Sequence, residues 1–185
     1  MNIQQALNHI TKNIHLTQPQ MEDVMRSIMQ GEATDAQIGA LMMGLRMKGE
    51  SIDEITAAAR IMREFAIKID VSDIPHLVDI VGTGGDGKNT FNISTCACFI
   101  VAGAGYHVAK HGNYGATSVS GASNVIEQHG VKFTNNPDKL TRSMEECGMV
   151  YMHAQLFNPA MKSVGPVRKA LQVRTIFNLL GPLVN

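Results

Sequence analysis

The hydrophobic pattern changes period once, near residue 70, and that change sets the class of fold. Upstream, Met21, Val24, Met25, Ile28 and Met29 recur at the 3.6-residue spacing of a helix with one buried face, and Gly31 stands where such a helix would stop. Thr34 with Gln37 and Ser51 with Glu54 are capping-box patterns. The first opens a helix that stops near Gly49. The second opens one whose apolar face is Ile52, Ile55, Ala58, Ala59 and Ile61–Met62. Connections this short set neighbouring helices roughly antiparallel. So small a helical group buries little by itself and is expected to pack on a second domain or a second chain.

Downstream, 70–76 reads as a linker containing Pro75. Strand-like runs at 77–81, 106–109 and 149–152 then alternate with helical runs at about 94–103, 123–129 and 137–147. That alternation predicts a parallel sheet with helices on its faces. Further helices are expected over 159–171 and 174–180. The expected architecture is therefore α/β: a helical domain over 1–70, a parallel-sheet α/β domain over 76–158, and a helical segment over 159–185. The final LLGPLVN holds a Gly-Pro turn that promises another element, and the α/β half has too few strands to be covered on both faces. The α/β domain is thus expected to be incomplete at its C-terminus; the alternative is a complete compact domain.

Composition narrows the function. Sixteen Lys+Arg balance sixteen Asp+Glu, which argues against a general nucleic-acid binder and against a polybasic membrane anchor. With 44% hydrophobic and 17% charged residues the chain is not a disordered one. The first fifteen residues are polar, and the longest apolar stretch, 96–105, is far short of the ~20 residues of a membrane helix. Three cysteines cannot all pair, and Cys96 and Cys98 are too close for an ordinary disulfide, so a reducing, cytoplasmic compartment is expected. The twelve methionines are gap-fillers of cores.

Chemistry concentrates in two bends. Residues 79–95 read DIVGTGGDGKNTFNIST. Gly82, Gly84 and Gly87 satisfy G-x-G-x-x-G, but the helix does not open in the turn and 97–106 hold no acid. Gly82, Gly87 and Lys88 match G-x-x-x-x-G-K, but Asn89 stands where a P-loop needs Ser or Thr. Neither template holds, yet the residues suit phosphate. Glycines let backbone N–H groups converge on one anion, Thr90, Ser94 and Thr95 add hydroxyls, and the helix from about 94 points its positive end there. Asp86 repels phosphate, so it should face ribose hydroxyls or a metal ion. Sugar, phosphate and metal together are expected rather than bare phosphate; the plain alternative is a βα turn with an N-cap. The second bend, VAKHGNYGATSVSGASN over 108–124, also follows a strand, where ligands of open α/β sheets gather. Lys110 and His111 supply donors and charge, Asn113, Thr117 and Ser118 more donors, and Gly112, Gly115 and Gly121 an open backbone. A solvated polar loop is the alternative.

GTGGD at 82–86, TFNIST at 90–95, KHGN at 110–113 and NLLGPLVN at 178–185 together resemble the anthranilate phosphoribosyltransferases, over the whole chain. The resemblance implies transfer of a phosphoribosyl group from phosphoribosyl pyrophosphate to the amine of anthranilate, with release of pyrophosphate, in tryptophan biosynthesis. It implies Mg2+, a homodimer formed through the helical domain, and return of the segment near 160–185 to that domain. Position by position, Gly82, Gly85, Asp86 and Thr90 match the phosphoribosyl pyrophosphate loop. Asn92, Ile93, Ser94 and Thr95 match the phosphate-binding turn, with Ser94 a magnesium ligand. Lys110, His111, Gly112, Asn113 and Ser118 match the second pyrophosphate loop. Gly82, Asn113 and Arg168 match positions at anthranilate. No residue is assigned as acid or base, since an aromatic amine is largely neutral at pH 7. Leaving-group charge would be met by magnesium, Lys110 and backbone amides, and Arg168 would pair with the carboxylate. The alternative for Arg168 is a solvated basic helix face beside Lys169.

The chain departs from the family pattern at Tyr114, commonly Arg, at Ala122, commonly a small hydroxyl residue at the substrate whose backbone would still serve here, and at Asn158, commonly His. The family's Asp-Glu magnesium pair lies beyond the NLLGP segment. The chain is therefore expected to be a fragment with little or no activity alone, which a turnover assay at full rate would overturn. A pyrimidine nucleoside phosphorylase and a non-catalytic dimerisation or binding module are the alternatives. Cys96 and Cys98 are expected to be buried packing residues, Cys147 inert, His107 structural, and the Glu145–Glu146 pair solvated. His153 follows a strand and is a candidate for facing a cleft.

Overall fold

The computed structural model describes residues 1–82, 90–115 and 120–184. They divide into two compact units, one of 1–66 with 158–185 and one of 67–157.

The first unit is helical. Its helices α1 (Ile3–Ile10), α2 (Gln18–Met29), α3 (Asp35–Lys48) and α4 (Ile52–Phe65) begin at reciprocal side-chain caps. The Thr34 backbone N–H donates to Gln37 Oε1 at 3.0 Å, and the Ser51 N–H to Glu54 Oε2 at 2.8 Å. Gly31 and Gly49 follow α2 and α3 with φ of 78° and 83°, a conformation open to glycine and costly for other residues. α2 packs on α4 and α1 on α3. The predicted α2 face is fully inside, but on α4 the pattern shifts: Ile52 is exposed, and Ala57 joins Ala58, Ile61 and Met62 in the core. The reason is Glu54, which is 0% exposed and turns the first turn of α4 toward the chain at Leu16.

Residues after 158 complete this core through Val164, Val167, Ile176, Phe177 and Leu180. The helix expected over 159–171 is two elements, a 3₁₀ turn (Pro159–Ser163) and α9 (Gly165–Leu171), because Pro166 lacks the N–H that a continuous helix would need. The next helix, α10, is confined to Ile176–Leu180.

The second unit is α/β. Strands β1 (Leu77–Val78), β2 (His107–Gly112) and β3 (Met149–His153) are parallel in the order β1-β2-β3. Helices α5 (Ile93–Gly103), α6 (Ala122–Gln128), α7 (Pro137–Cys147) and α8 (Ala154–Phe157) connect or follow them. β1 is shorter than the expected 77–81, since the Ile80 carbonyl is taken by a lysine ammonium and not by a strand ladder. β2 starts at His107, not 106, and runs to Gly112, where it pairs with His153. Period-2 alternation gives the sheet two distinct faces. Ala109 and Val150 share one with Leu140 and Met144 of α7. A cavity of about 460 Å³ lies on that side, lined by Ile69, Ile74, Leu140, Met144, Val150 and Met152 among others. Val108, Lys110 and Tyr151 belong to the opposite face. Among the described residues no helix is long and apolar enough to cross a membrane.

Candidate functional site

The first bend enters α5. Asn92 is the N-cap, but its side chain makes no cap bond; its amide donates instead to Ser120 Oγ of the second bend at 3.4 Å. Residues at the two bends, 28 apart in sequence, therefore touch at the carboxyl end of one sheet. Ser94 is half-buried, and a Cβ on Gly82 would lie 3.5 Å from Ser94 Oγ, an ordinary contact distance, so the Gly82 backbone runs close to that hydroxyl. The Cys98 thiol donates to the Ser94 carbonyl at 3.0 Å. Thr95 is 1% exposed, and its hydroxyl has no hydrogen-bond partner among the described residues. A buried hydroxyl without a described partner in the first turn of a helix is a donor that suits an oxyanion. Thr90 and Ile93 are exposed at the same end. Gly85, Asp86 and Ser118 lie outside the described residues.

Lys110 ties the second bend to the first. It is 1% exposed, and its ammonium donates to the Ile80 carbonyl at 2.8 Å, just before the glycine-rich stretch. Burial lowers its pKa, while Cys98 and Asp79 favour the charge. Burial also raises the Cys98 thiol. Lys110 thus ties β2 to the chain at Ile80. Cys96, expected inside, is exposed, because α5 turns only the Thr95 and Cys98 side inward; Phe99 and Ile100 are exposed with it.

Beyond Lys110 and the half-buried His111 and Gly112, the neck of the bend is clasped by main-chain groups. The Asn113 carbonyl accepts the Ser123 N–H at 3.1 Å, and Asn113 Oδ1 accepts the Tyr114 N–H at 2.8 Å. Asn124 Oδ1 accepts from Gly115 N–H at 3.1 Å and Gly121 N–H at 2.9 Å. Ala122, half-buried, opens α6, with its Cβ 3.0 Å from where a Gly112 side chain would begin. At Gly121 a Cβ would meet Gly115 N at 2.2 Å and Tyr114 C at 2.5 Å. These are backbone atoms of the clasp and cannot swing aside. Gly121→Ala should therefore destabilise the second unit by about 2 kcal/mol or more, read as a lower thermal midpoint; an unchanged midpoint would show that the neck is not this tight.

Of the layer beneath, sequence reasoning singled out His153 alone. Ser123, 0% exposed, bonds Tyr151 OH at 2.7 Å and His153 Nδ1 at 2.8 Å. Burial lowers the His153 pKa, and Glu127 opposes that while His111 adds to it. Burial pushes Tyr151 up to about 12, against the pull of the Ser123 bond. His153 is 5% exposed, so it braces the bend and does not face an open cleft. The alternation that puts Lys110, Tyr151 and His153 on one face is the signal for this layer. His107 keeps Nδ1 2.9 Å from the Pro75 carbonyl, a structural contact. Arg168 belongs to the other unit, on α9, where burial lowers its pKa.

Profiles of the glycosyl transferase family match the chain in two parts, the helical bundle domain over 4–66 and the a/b domain over 74–185. An anthranilate phosphoribosyltransferase of Phocaeicola vulgatus is 70% identical over 97% of this chain and 54% of its own length. One of Acinetobacter baumannii is 66% identical over 100% of this chain and 53% of its own. The chain spans about half the length of the curated relatives it matches. Among solved structures, anthranilate phosphoribosyltransferase from Thermus thermophilus is 42% identical with a TM-score of 0.85, covering 97% of this chain and 54% of that one. The Saccharomyces cerevisiae enzyme in complex with PRPP and Mg is 28% identical with a TM-score of 0.87, covering 98% and 54%.

Proposed function

This chain belongs to the glycosyl transferase family, and from that premise we propose that it carries the phosphoribosyl pyrophosphate-binding part of an anthranilate phosphoribosyltransferase. The complete reaction moves the phosphoribosyl group to the amine of anthranilate and releases pyrophosphate, in tryptophan biosynthesis. The observation that carries this reading is the meeting of the two bends through Asn92 and Ser120, beside the buried hydroxyl of Thr95 that has no described partner. The relatives named above carry the transferase name, and one was solved with PRPP and Mg.

Each side chain has a task in this reading. Amides at the start of α5, with Thr90, Asn92, Ile93, Ser94 and Thr95, would hold phosphate oxygens. Gly82, Gly85 and Asp86 would approach the ribose and pyrophosphate. Lys110, with His111, Gly112, Asn113, Ser118 and the backbone at Ala122, would face the second phosphate. Asn113, Gly82 and Arg168 would receive anthranilate.

Mg2+ fits the donor chemistry. Hydroxyl and phosphate oxygens suit a hard cation, and Ser94 offers one beside Gly82. Among the described residues no cluster of three His, Cys, Asp or Glu could hold a metal. Bound at Ser94, Mg2+ would neutralise charge on the departing pyrophosphate. The protein's own share is to hold the sugar and the amine in line, with Lys110 and the helix start aimed at the leaving group.

The cytoplasm and a homodimer through the helical unit complete the reading. Met47 and Ile52, each 84% exposed on that unit, support a partner surface there. Titration calorimetry of this chain with PRPP and Mg2+ tests the central claim: saturable, magnesium-dependent binding is expected, and its absence would overturn the reading. A complete enzyme that consumed inorganic phosphate and a nucleoside, without anthranilate, would favour a phosphorylase.

A further inference from the structure

We infer that Tyr114 is a positioning residue: with Phe133, His153 and Glu127 it forms an aromatic clamp that locks the 112–115 turn onto α6 and the end of β3. The idea that this turn meets substrate rests on the reading above; the clamp itself rests on geometry. The Tyr114 hydroxyl donates to Glu127 Oε1 at 3.1 Å. Its ring meets His153 edge-on at 5.0 Å between centroids and Phe133 at 6.3 Å. Phe133 lies flat on His153 at 4.6 Å and 13°, and leans on Tyr151 at 5.3 Å. Below them Ser123 joins His153 to Tyr151. Tyr114 is thus held at its tip by one ion and along its edge by two rings, of which His153 is fixed by the buried Ser123 and Phe133 lies flat on His153. Edge-on and stacked arrangements of this kind are favourable beyond the area they bury.

The consequence reaches the substrate-facing groups through the backbone. The Tyr114 N–H is the donor that Asn113 Oδ1 accepts, so fixing Tyr114 fixes which way the Asn113 amide points. With the oxygen engaged, the NH2 end is left as the donor for a ligand. The next residue, Gly115, is bonded to Asn124 Oδ1, so the clamp and the clasp share one short stretch of chain. In the family pattern a cation is common at 114; here an aromatic ring ordering its neighbours takes that place. A turn ordered before binding loses less entropy when the ligand arrives.

The test compares Tyr114→Ala with Tyr114→Phe in the 185-residue chain. Tyr114 is 37% exposed, so its truncation leaves the buried core in place. In the alanine variant, amide hydrogen exchange at Gly115, Gly121 and Ser123 should quicken about tenfold while exchange in α2 and α4 holds. Affinity for PRPP with Mg2+ should weaken about tenfold with little change in thermal midpoint. The phenylalanine variant, which keeps the ring, should recover most of both effects. Phe133→Leu, which removes the flat partner of His153, should reproduce the alanine result. Unchanged exchange in Tyr114→Ala would overturn the clamp, as would faster exchange with unaltered affinity. If the unmodified chain binds no PRPP, the functional reading fails, and the exchange data alone decide the clamp.

Discussion

Glu54→Gln should lower the stability of the helical unit by about 3–5 kcal/mol, the typical penalty for removing one partner of a buried ion pair. The Glu54 carboxylate is 0% exposed and accepts from Leu16 N–H, Ser51 N–H and Lys48 Nζ, each at 2.8 Å, with His15 Nδ1 a fourth neighbour at 3.4 Å. Glutamine keeps one acceptor oxygen but turns an NH2 group toward donors. The Lys48 ammonium, with a side chain only 2% exposed, loses its counter-ion and keeps His15 Nδ1 and the Gly49 carbonyl. For a domain of this size the thermal midpoint should fall on the order of 20 °C.

The pH dependence follows in sign. Burial pushes the Glu54 pKa up most strongly, but the bonds from Leu16, Lys48 and Ser51 and the Lys48 charge together outweigh it, and the net shift is downward. A lowered carboxylate pKa contributes stability that is fully present above the ordinary glutamate value of about 4.3 and is lost as pH falls through the folded value. Thermal midpoints measured from pH 7 downward should show this acid loss in the unmodified chain and less of it in Glu54→Gln. A variant that melts like its parent at neutral pH would remove the ion pair from any account of how these helices are joined.

Lys110→Met should separate affinity from stability. Methionine fills a similar volume without a charge, and its loss of one bond to Ile80 is set against relief from burying an ammonium. Because burial lowers the Lys110 pKa, the folded state binds its proton less readily than the unfolded chain does, so the cation weighs against folding at neutral pH. The midpoint should hold or rise. Affinity for PRPP with Mg2+ should drop about a hundredfold, the scale of one charge-assisted phosphate contact. Calorimetry on the two proteins checks both arms. Equal affinities would leave Lys110 as a mere strut between strands. A buried cation kept at a cost to folding is the pattern expected where function competes with stability.

Much of this is legible in the residues because local rules and tertiary packing agree. The caps at Thr34 and Ser51, the glycine stops after α2 and α3, and the parallel order of three strands all follow from residue type and period. Sequence and structure part where a long-range partner overrules a local pattern. Spacing puts Ile52 in the core, yet Glu54, reaching across to Leu16, occupies the inward side. The apolar run from Leu77 predicts too long a strand because nothing local reveals that Lys110, thirty residues on, takes the Ile80 carbonyl. A single helix over 159–171 would have to run through Pro166, whose missing N–H breaks it. At the candidate site, glycines and hydroxyls announce the two bends. The supporting Ser123 comes from α6 and Tyr151 and His153 from β3, so only the fold reveals their meeting.

The aromatic residues are unevenly shared, and this gives the molecule two optical voices. The chain has no tryptophan, and its three tyrosines, Tyr106, Tyr114 and Tyr151, all fall within 67–157. Tyrosine emission therefore reports on the sheet and its bends alone, while far-ultraviolet dichroism is weighted toward the helices of the other unit. Melts followed by both signals would tell at once whether the two units come apart together or in turn.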